Sequence, residues 1–149
     1  MARVNTYLNF QRNTEEAFRF YQTVFGGELG AGGHIARFGD IPPMEGMPSL
    51  PEEDKNLVMH IELPIFGNHV LMGTDAPESL GFRIVSGTQV HISLEPDTRA
   101  ETKRLFDALS AGGNVTMELQ DMFWGAYYGS FTDRFGIQWM LNCPAQNES

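Results

Sequence analysis

The side chains best suited to chemistry in this sequence are imidazoles and carboxylates at short spacing. His60 and Glu62 are two positions apart in LVMHIELPI (57–65), and His91 lies in TQVHISLE (88–95). Alternate residues of a β-strand lie on one face, so a strand here would bring His60 and Glu62 together. A histidine beside a carboxylate binds divalent metals or transfers protons. A hydrogen-bonded structural histidine explains His60 equally well.

A second candidate is the aromatic cluster FWGAYYG (123–129), which lies between two predicted strands. Trp124 and Tyr128, together with Tyr7, would wall a ligand cavity, because an indole N–H or a phenol O–H can fix a ligand at a polar point. Packing in a core or at an interface is the alternative, and it is the more common role of large aromatic side chains.

The glycine-rich stretch ELGAGG (28–33) is similar to the loops that bind nucleotides or S-adenosylmethionine. Such a loop joins a strand to the N-terminus of a helix, where backbone N–H groups meet the anion. Here the stretch follows a predicted helix that ends at Gly26 and Gly27, and it leads into a predicted strand, HIARFG (34–39). The order is reversed, so the sequence predicts a connector at this position.

Composition and charge narrow the classes of protein further. The chain has 149 residues and a formal net charge of −9. The length suits one domain, and the charge disfavours nucleic acid and anionic membranes as partners. The single cysteine, Cys143, can form no internal disulfide, and no signal peptide or membrane-spanning run is evident. We therefore expect a cytoplasmic protein.

The elements that must position these residues repeat along the chain. The predicted strands are 3–10, 34–39, 57–65, 69–75, 88–95, 115–121, 126–133 and 137–143. One helix is predicted after a capping box that begins at Asn13, and another after Thr98 with Glu101; glycines end both helices. Each half of the chain therefore has a strand, a helix and three further strands.

Two pairs of segments support an internal repeat. FYQTVFGG (20–27) and LFDALSAGG (105–113) share their apolar spacing and glycine stop. FGNHVLM (66–72) and FGIQWML (135–141) share Phe-Gly and their apolar ends. The sequence therefore predicts an α+β fold of two tandem βαβββ modules, residues 1–76 and 84–149, with a connector at 77–83.

Strand alternation assigns side chains to the two faces of each predicted sheet. The sets expected to face the helices are Thr6, Leu8 and Phe10, then Leu57, Met59, Ile61 and Leu63, and then Val90, Ile92 and Leu94. The opposite faces then carry Asn5 and Tyr7 in the first strand, Val58, His60 and Glu62 in the third, and His91 in the fifth. Trp139 is expected to lie in the core.

Four segments resemble a known family: YLNFQRNTEEAFRFYQTVFGGE, VMHIEL, LMGTDA and FWGAYYGSFTDRFGIQWML. They are similar to the PhnB-like branch of the vicinal oxygen chelate superfamily, which includes glyoxalase I, bleomycin-resistance proteins and extradiol dioxygenases. The resemblance covers nearly the whole chain. It implies mixed four-stranded sheets that curl into cups around a ligand cavity, with the helices outside, and it implies a dimer.

The resemblance also implies a divalent metal in active relatives, held by His or Gln early and Glu late in each module. The repeat places Asn5, Leu71, His91 and Met140 at those positions. Only His91 is an ordinary ligand, whereas a catalytic divalent site generally uses three protein ligands. We therefore expect the inherited metal site to be lost and predict no cofactor. A divalent metal at a displaced site, held by His60, Glu62 and His91, is the alternative.

Two functions stay open at this point. The first is a metal-independent protein that binds a small, partly apolar molecule; its expected ligand-binding residues are Tyr7, His60, Glu62, His91, Trp124 and Tyr128. The second is a metal-dependent lyase or dioxygenase of the glyoxalase type that uses the displaced site. A homodimer is expected in either case, because open sheets leave strand edges and an apolar face in water. A monomer whose modules close on each other is the alternative.

Overall fold

The computed structural model of the protein describes residues 2–30, 33–42, 45–46 and 50–145. It divides into two compact units, Met1–Val85 and Ser86–Ser149. Each unit contains a four-stranded sheet of mixed strand direction and an α-helix, which confirms the predicted α+β fold of tandem βαβββ modules. Within the described ranges, neither helix is long and apolar enough to cross a bilayer.

The two units share one order of elements. The first contains β1 (Thr6–Phe10), α1 (Thr14–Phe25), β2 (Ala36–Arg37), β3 (Val58–Pro64) and β4 (Val70–Asp75). The second contains β5 (Ile92–Leu94), α2 (Arg99–Ser110), β6 (Asn114–Asp121), β7 (Tyr127–Thr132) and β8 (Gln138–Cys143).

The sheets also share their topology. The strand order is β1-β4-β3-β2 in the first sheet and β5-β8-β7-β6 in the second. β1 runs parallel to β4 and β5 runs parallel to β8, while the other neighbours are antiparallel. The first strand of each unit therefore lies beside the last one.

Each helix covers one face of its own sheet. Buried side chains of α1 recur every three or four residues, as an amphipathic helix requires: Ala17, Phe18, Tyr21 and Val24. The strands complete this core with Leu8, Phe10, Ile61, Leu63 and Leu71. In the second unit the core is formed by Leu105, Phe106, Leu109, Phe131, Trp139, Leu141 and Cys143, which confirms the predicted position of Trp139. We call the opposite face of each sheet its open face.

The glycine stretch lies between α1 and β2, as predicted. The helix ends at Phe25, and the Gly26 N–H donates a hydrogen bond to the Gln22 carbonyl at 2.8 Å. Gly26 and Gly27 both have positive φ angles, of 78° and 85°, which glycine adopts at little cost. Ala31 and Gly32 lie outside the described residues.

The start of α1 differs from the prediction. Asn13 makes no side-chain hydrogen bond to the helix, so the predicted capping box is wrong. Asp75, buried at the end of β4, takes this role: its Oδ1 accepts from the Thr14 N–H at 3.1 Å and from the Thr14 hydroxyl at 2.7 Å. Its Oδ2 accepts from the Val58 N–H at 2.8 Å. The carboxylate also meets the positive end of the helix dipole.

The second helix begins with the predicted Thr98 cap, although the Glu101 carboxylate pairs with Arg104 and does not complete the predicted capping box. The Thr98 hydroxyl oxygen accepts a hydrogen bond from the Glu101 N–H at 3.1 Å. A second buried carboxylate, Asp133, organises the turn between β7 and β8. It accepts from the Ile137 N–H at 3.0 Å and from the Trp139 indole N–H at 2.9 Å. The buried indole is therefore fully satisfied.

Two strands are shorter than predicted. The segment 34–39 contributes only Ala36–Arg37 and then bends, because the Asp40 carboxylate accepts a hydrogen bond from the Arg37 N–H at 3.0 Å. The segment 88–95 contributes only Ile92–Leu94. Val90 is largely exposed, so its predicted position facing the helix is wrong.

A bulge in β3 changes the faces of two residues. Ala36 pairs with His60, and the next residue, Arg37, pairs with Val58, so Met59 is an extra residue on β3. Val58 is consequently buried on the helix side and Met59 is partly exposed. The faces predicted for Val58 and Met59 are therefore wrong, although Ile61 and Leu63 face the helix as expected.

An ionic cluster joins three connecting segments of the first unit. The Asp54 carboxylate has no exposed side-chain surface and lies 2.7 Å from Arg12 Nη1. The Ser79 hydroxyl donates to the same carboxylate, and Arg12 Nε lies 2.7 Å from Glu78 Oε1. The Arg12 guanidinium, followed by the Ser79 hydrogen bond, holds the pKa of Asp54 below its usual value.

We expect Gly73→Ala to destabilise the first unit by about 1–3 kcal/mol, the usual cost of overpacking a core. A Cβ at Gly73 would lie 2.6 Å from Phe18 Cε1, and Phe18 is fully buried. Urea unfolding measures the loss. Gly87→Ala is the matched control, because a Cβ at Gly87 meets no atom within 4 Å. Equal unfolding midpoints for the two variants would contradict this account of the α1 packing.

We expect Asp54→Asn to be less stable than the unchanged protein near neutral pH, with the difference shrinking in acid. The folded-state pKa of Asp54 is lowered, so its stabilisation is complete above the unfolded value of about 3.9 and is lost as pH falls through the folded value. Urea midpoints recorded from about pH 7 to about pH 2 test this. The exposed Glu53→Gln should follow the unchanged protein, and a difference that persists in acid would count against the cluster.

Candidate functional site

The open face of the first sheet gathers three of the residues predicted from sequence. Tyr7 on β1 pairs with Met72 on β4, and Met72 pairs with Glu62 on β3. Residues paired across neighbouring strands lie on the same face. His60, two residues before Glu62, lies on that face as well. Met72 is the fourth member of this cluster, and sequence reasoning missed it.

The cluster is held by a hydrogen bond and a ring contact. His60 Nε2 lies 3.0 Å from Glu62 Oε1, with 37% and 35% of the two side chains exposed. The Tyr7 ring centroid lies 5.9 Å from that of His60, at an interplanar angle of 33°. A proton on Nε2 donates to the Glu62 carboxylate and leaves Nδ1 as an acceptor. The pair is therefore ordered but accessible to a ligand.

The other predicted residues belong to the second unit. His91 is exposed just before β5. Tyr128 is half-buried in β7, where it pairs with Gln120 and Asn142. Trp124 lies in the turn between β6 and β7.

The Trp124 turn presents its aromatic rings to the surface. Phe123 is 96% exposed and Trp124 is 55% exposed, and their rings stack edge to face at 4.8 Å. The interpretation that these two side chains pack in the core of the unit is therefore wrong. We therefore expect a protein interface or a ligand to cover this turn.

The structure corrects the register of the internal repeat. Pro64 pairs with Val70 in the first unit and Thr132 pairs with Gln138 in the second, so Val70 corresponds to Gln138. Two residues further along, Met72 corresponds to Met140. The predicted equivalence of Leu71 with Met140 is wrong, because Leu71 is fully buried on the helix face.

The error has a simple origin in the two turns. Gly67 is the third residue after Pro64, whereas Gly136 is the fourth residue after Thr132. Aligning the shared Phe-Gly letters therefore shifts the strands by one residue. A shift of one residue moves every side chain to the opposite face.

The donors at the positions implied by the resemblance do not fit a hard divalent metal. Met72 and Met140 occupy the late positions, and thioethers are soft ligands. Asn5 is engaged with the backbone, since its Oδ1 accepts from the Val70 N–H at 3.2 Å. In the described part of the chain, no three His, Cys, Asp or Glu side chains lie close enough to hold a metal ion. The displaced site would thus need a ligand beyond His60 and Glu62.

A depression of about 490 Å³ lies on the helix side of the second sheet. It is lined by Arg99, Ala100, Lys103, Arg104, Asp107 and Tyr127. The Arg99 guanidinium lies 4.0 Å from the centre of the Tyr127 ring and pairs with Asp121, whose pKa it lowers. Lys103 and Arg104 are also paired with carboxylates. The depression therefore offers no excess charge to a ligand.

The chain belongs to the glyoxalase/bleomycin resistance protein/dioxygenase superfamily, whose family model matches residues 3–141. This match confirms the family predicted from the four sequence segments. The chain is also 30% identical over 152 residues to Protein YjdN of Escherichia coli strain K12, with 96% of each chain covered.

Solved structures with the same fold include protein PA1353 from Pseudomonas aeruginosa. It is 38% identical with a TM-score of 0.81, over 98% of this chain and 100% of that one. A putative 3-demethylubiquinone-9 3-methyltransferase, PhnB protein, from Bacillus cereus is 21% identical with a TM-score of 0.73. That match covers 95% of this chain and 99% of the other, and at such identity it shows the fold alone.

Proposed function

We propose that this protein binds a small, partly apolar molecule on the open face of its first unit, without the divalent metal that the superfamily uses in its active members. The observation that carries the proposal is the cluster of Tyr7, His60, Glu62 and Met72. It combines an exposed ring and a thioether with an ordered polar pair, the mixture typical of small-molecule sites.

The composition of the face supports binding in preference to Lewis-acid chemistry. Met72 and Met140 stand where carboxylate ligands would be needed, and a thioether contributes apolar, polarisable surface. The helix covers the other face of the sheet, so a ligand has access to these side chains from one direction. His91, Trp124 and Tyr128 are further candidates for ligand contact in the second unit.

The contact between His60 and Glu62 also favours a second candidate function. An imidazole and a carboxylate 3.0 Å apart supply two of the three protein ligands of a catalytic metal site. A lyase or dioxygenase site would also need the third expected ligand, His91, although no three such side chains are grouped in the described part of the chain. This candidate needs a bound metal, which is its distinguishing property.

We expect native mass spectrometry of freshly purified, untagged protein to show an organic molecule and no divalent ion. Tyr7→Ser should lower retention of that molecule at least about tenfold, because it removes the exposed ring from the face. Phe82→Ser is the matched control, since Phe82 is 52% exposed and Tyr7 is 48% exposed. A stoichiometric divalent ion that disappears with His60→Ala would instead favour the metal-dependent enzyme.

The proposed assembly is a homodimer, in which a second copy covers the aromatic turn at Phe123 and Trp124. Phe123 and Trp124 form adjoining exposed aromatic surface, and contiguous apolar surface marks interaction sites more often than single exposed side chains do. Large aromatic residues are enriched at such interfaces. The alternative is a monomer in which this turn contacts a ligand. The mass of the protein in solution distinguishes the monomer from the dimer.

We expect light scattering at low micromolar concentration to report the mass of two chains. Phe123→Ser combined with Trp124→Ser should shift the mass towards one chain, because the exposed apolar contact is lost. Val85→Ser removes a similarly exposed apolar side chain elsewhere and should leave the mass unchanged. A single-chain mass for the unchanged protein would refute the dimer.

A further inference from the structure

We propose that the ligand of the first unit's open face is an organic cation, with an amine or quaternary ammonium group on a partly apolar skeleton. This inference rests on the proposed function, because it names the class of molecule that the same face binds. It is carried by the charge and the hydrogen-bonding capacity of the side chains that the strand register places there.

Glu62 supplies an available anionic acceptor. Its Oε1 is bonded to His60 Nε2, and its Oε2 has no partner in the part of the chain that the structure describes. The side chain is half-buried, so one oxygen faces the ligand while the other is held in place. A carboxylate fixed in this way pairs with a cation at a lower entropic cost than a mobile surface carboxylate.

No lysine or arginine of the strands neutralises this carboxylate, and its one strand partner, His60, carries a charge only when it is protonated. The register places the following residues on the open face: Tyr7, Asn9, Ala36, His60, Glu62, Pro64, Val70, Met72 and Thr74. None is a lysine or an arginine. Arg37, the basic residue of β2, pairs with Glu15 on the helix side. Arg3, ahead of β1, donates instead to Asn5 and to the Asn68 carbonyl.

Tyr7 supplies the second attraction for a cation. An aromatic ring attracts positive charge to its face, and about half of this side chain is exposed. Tyr7 and Glu62 flank Met72 on either side, so their backbones are two strand spacings, or about 10 Å, apart. A small organic cation would lie between the ring and the carboxylate with its carbons on the Met72 thioether.

The second unit offers an internal comparison. Ser130 pairs with Met140 just as Glu62 pairs with Met72, so a hydroxyl stands where the first unit has a carboxylate. Ser130 is nearly buried and lies 2.8 Å from the Thr116 hydroxyl. The charge is therefore a property of the first open face and does not follow from the shared fold. The net charge of −9 adds a long-range attraction for cations.

Choline and its neutral isostere 3,3-dimethylbutan-1-ol test this inference, because they differ only in the charged nitrogen. Binding is followed by NMR through the backbone amides of residues 7, 60, 62 and 72. We expect both compounds to shift these amides, with choline binding at least about tenfold more tightly. Glu62→Gln should remove most of this preference, because only the Tyr7 ring is then left to attract the charge. The exposed Glu53→Gln should leave the ratio unchanged.

The outcomes separate the two proposals. Equal affinity for choline and the alcohol at these amides would overturn the cation inference and leave the proposed function standing. An undiminished preference for choline in Glu62→Gln would also overturn it, because the carboxylate would not be a source of the selectivity. Shifts at none of these amides with either compound would overturn the proposed function, and the inference with it.

Discussion

The buried carboxylate of Asp75 fixes the arrangement on which the rest of the first unit depends. It receives hydrogen bonds from Thr14 at the start of α1 and from Val58 at the start of β3. Hydrogen bonds to charged groups contribute about 1.5–3 kcal/mol each, more than neutral ones. Asp75 thereby ties the start of the helix to the start of β3 on one face of the sheet. With Val58 held on that side and Met59 bulged, His60 and Glu62 emerge on the opposite face.

The second unit reaches the same fold with a different anchor. Asp133 accepts hydrogen bonds from the Trp139 indole and from the backbone of the turn before β8. Thr98, the residue before α2, caps that helix. The two units are thus anchored by different buried carboxylates, and their open faces differ as well. The first carries His60 and Glu62 at the positions where the second carries Tyr128 and Ser130. One topology therefore carries an imidazole and a carboxylate on the first open face and two hydroxyl groups at the matching positions of the second.

Sequence reasoning succeeded where a short-range rule determines the structure. Alternation placed Tyr7, Ile61 and Leu63 correctly, and the glycine stops ended both helices where expected. It failed where a distant residue intervenes: Asp75 replaced Asn13 as the cap, although 62 positions separate them in the sequence. The bulge at Met59 depends on pairing with β2, and the position of Met72 depends on the register of a turn. Neither the bulge nor the register of the turn can be predicted from the local sequence pattern.

The chain's single thiol has a consequence for how the two units can be observed. Cys143 is buried in β8, which lies between β5 and β7 in the second sheet. A sulfhydryl reagent reaches it only when that strand opens, so the labelling rate measures local opening of the second unit. The first unit contains no cysteine and stays silent in the same experiment. The repeat thus contains a natural kinetic reporter for one half, against which hydrogen exchange of the other half can be compared.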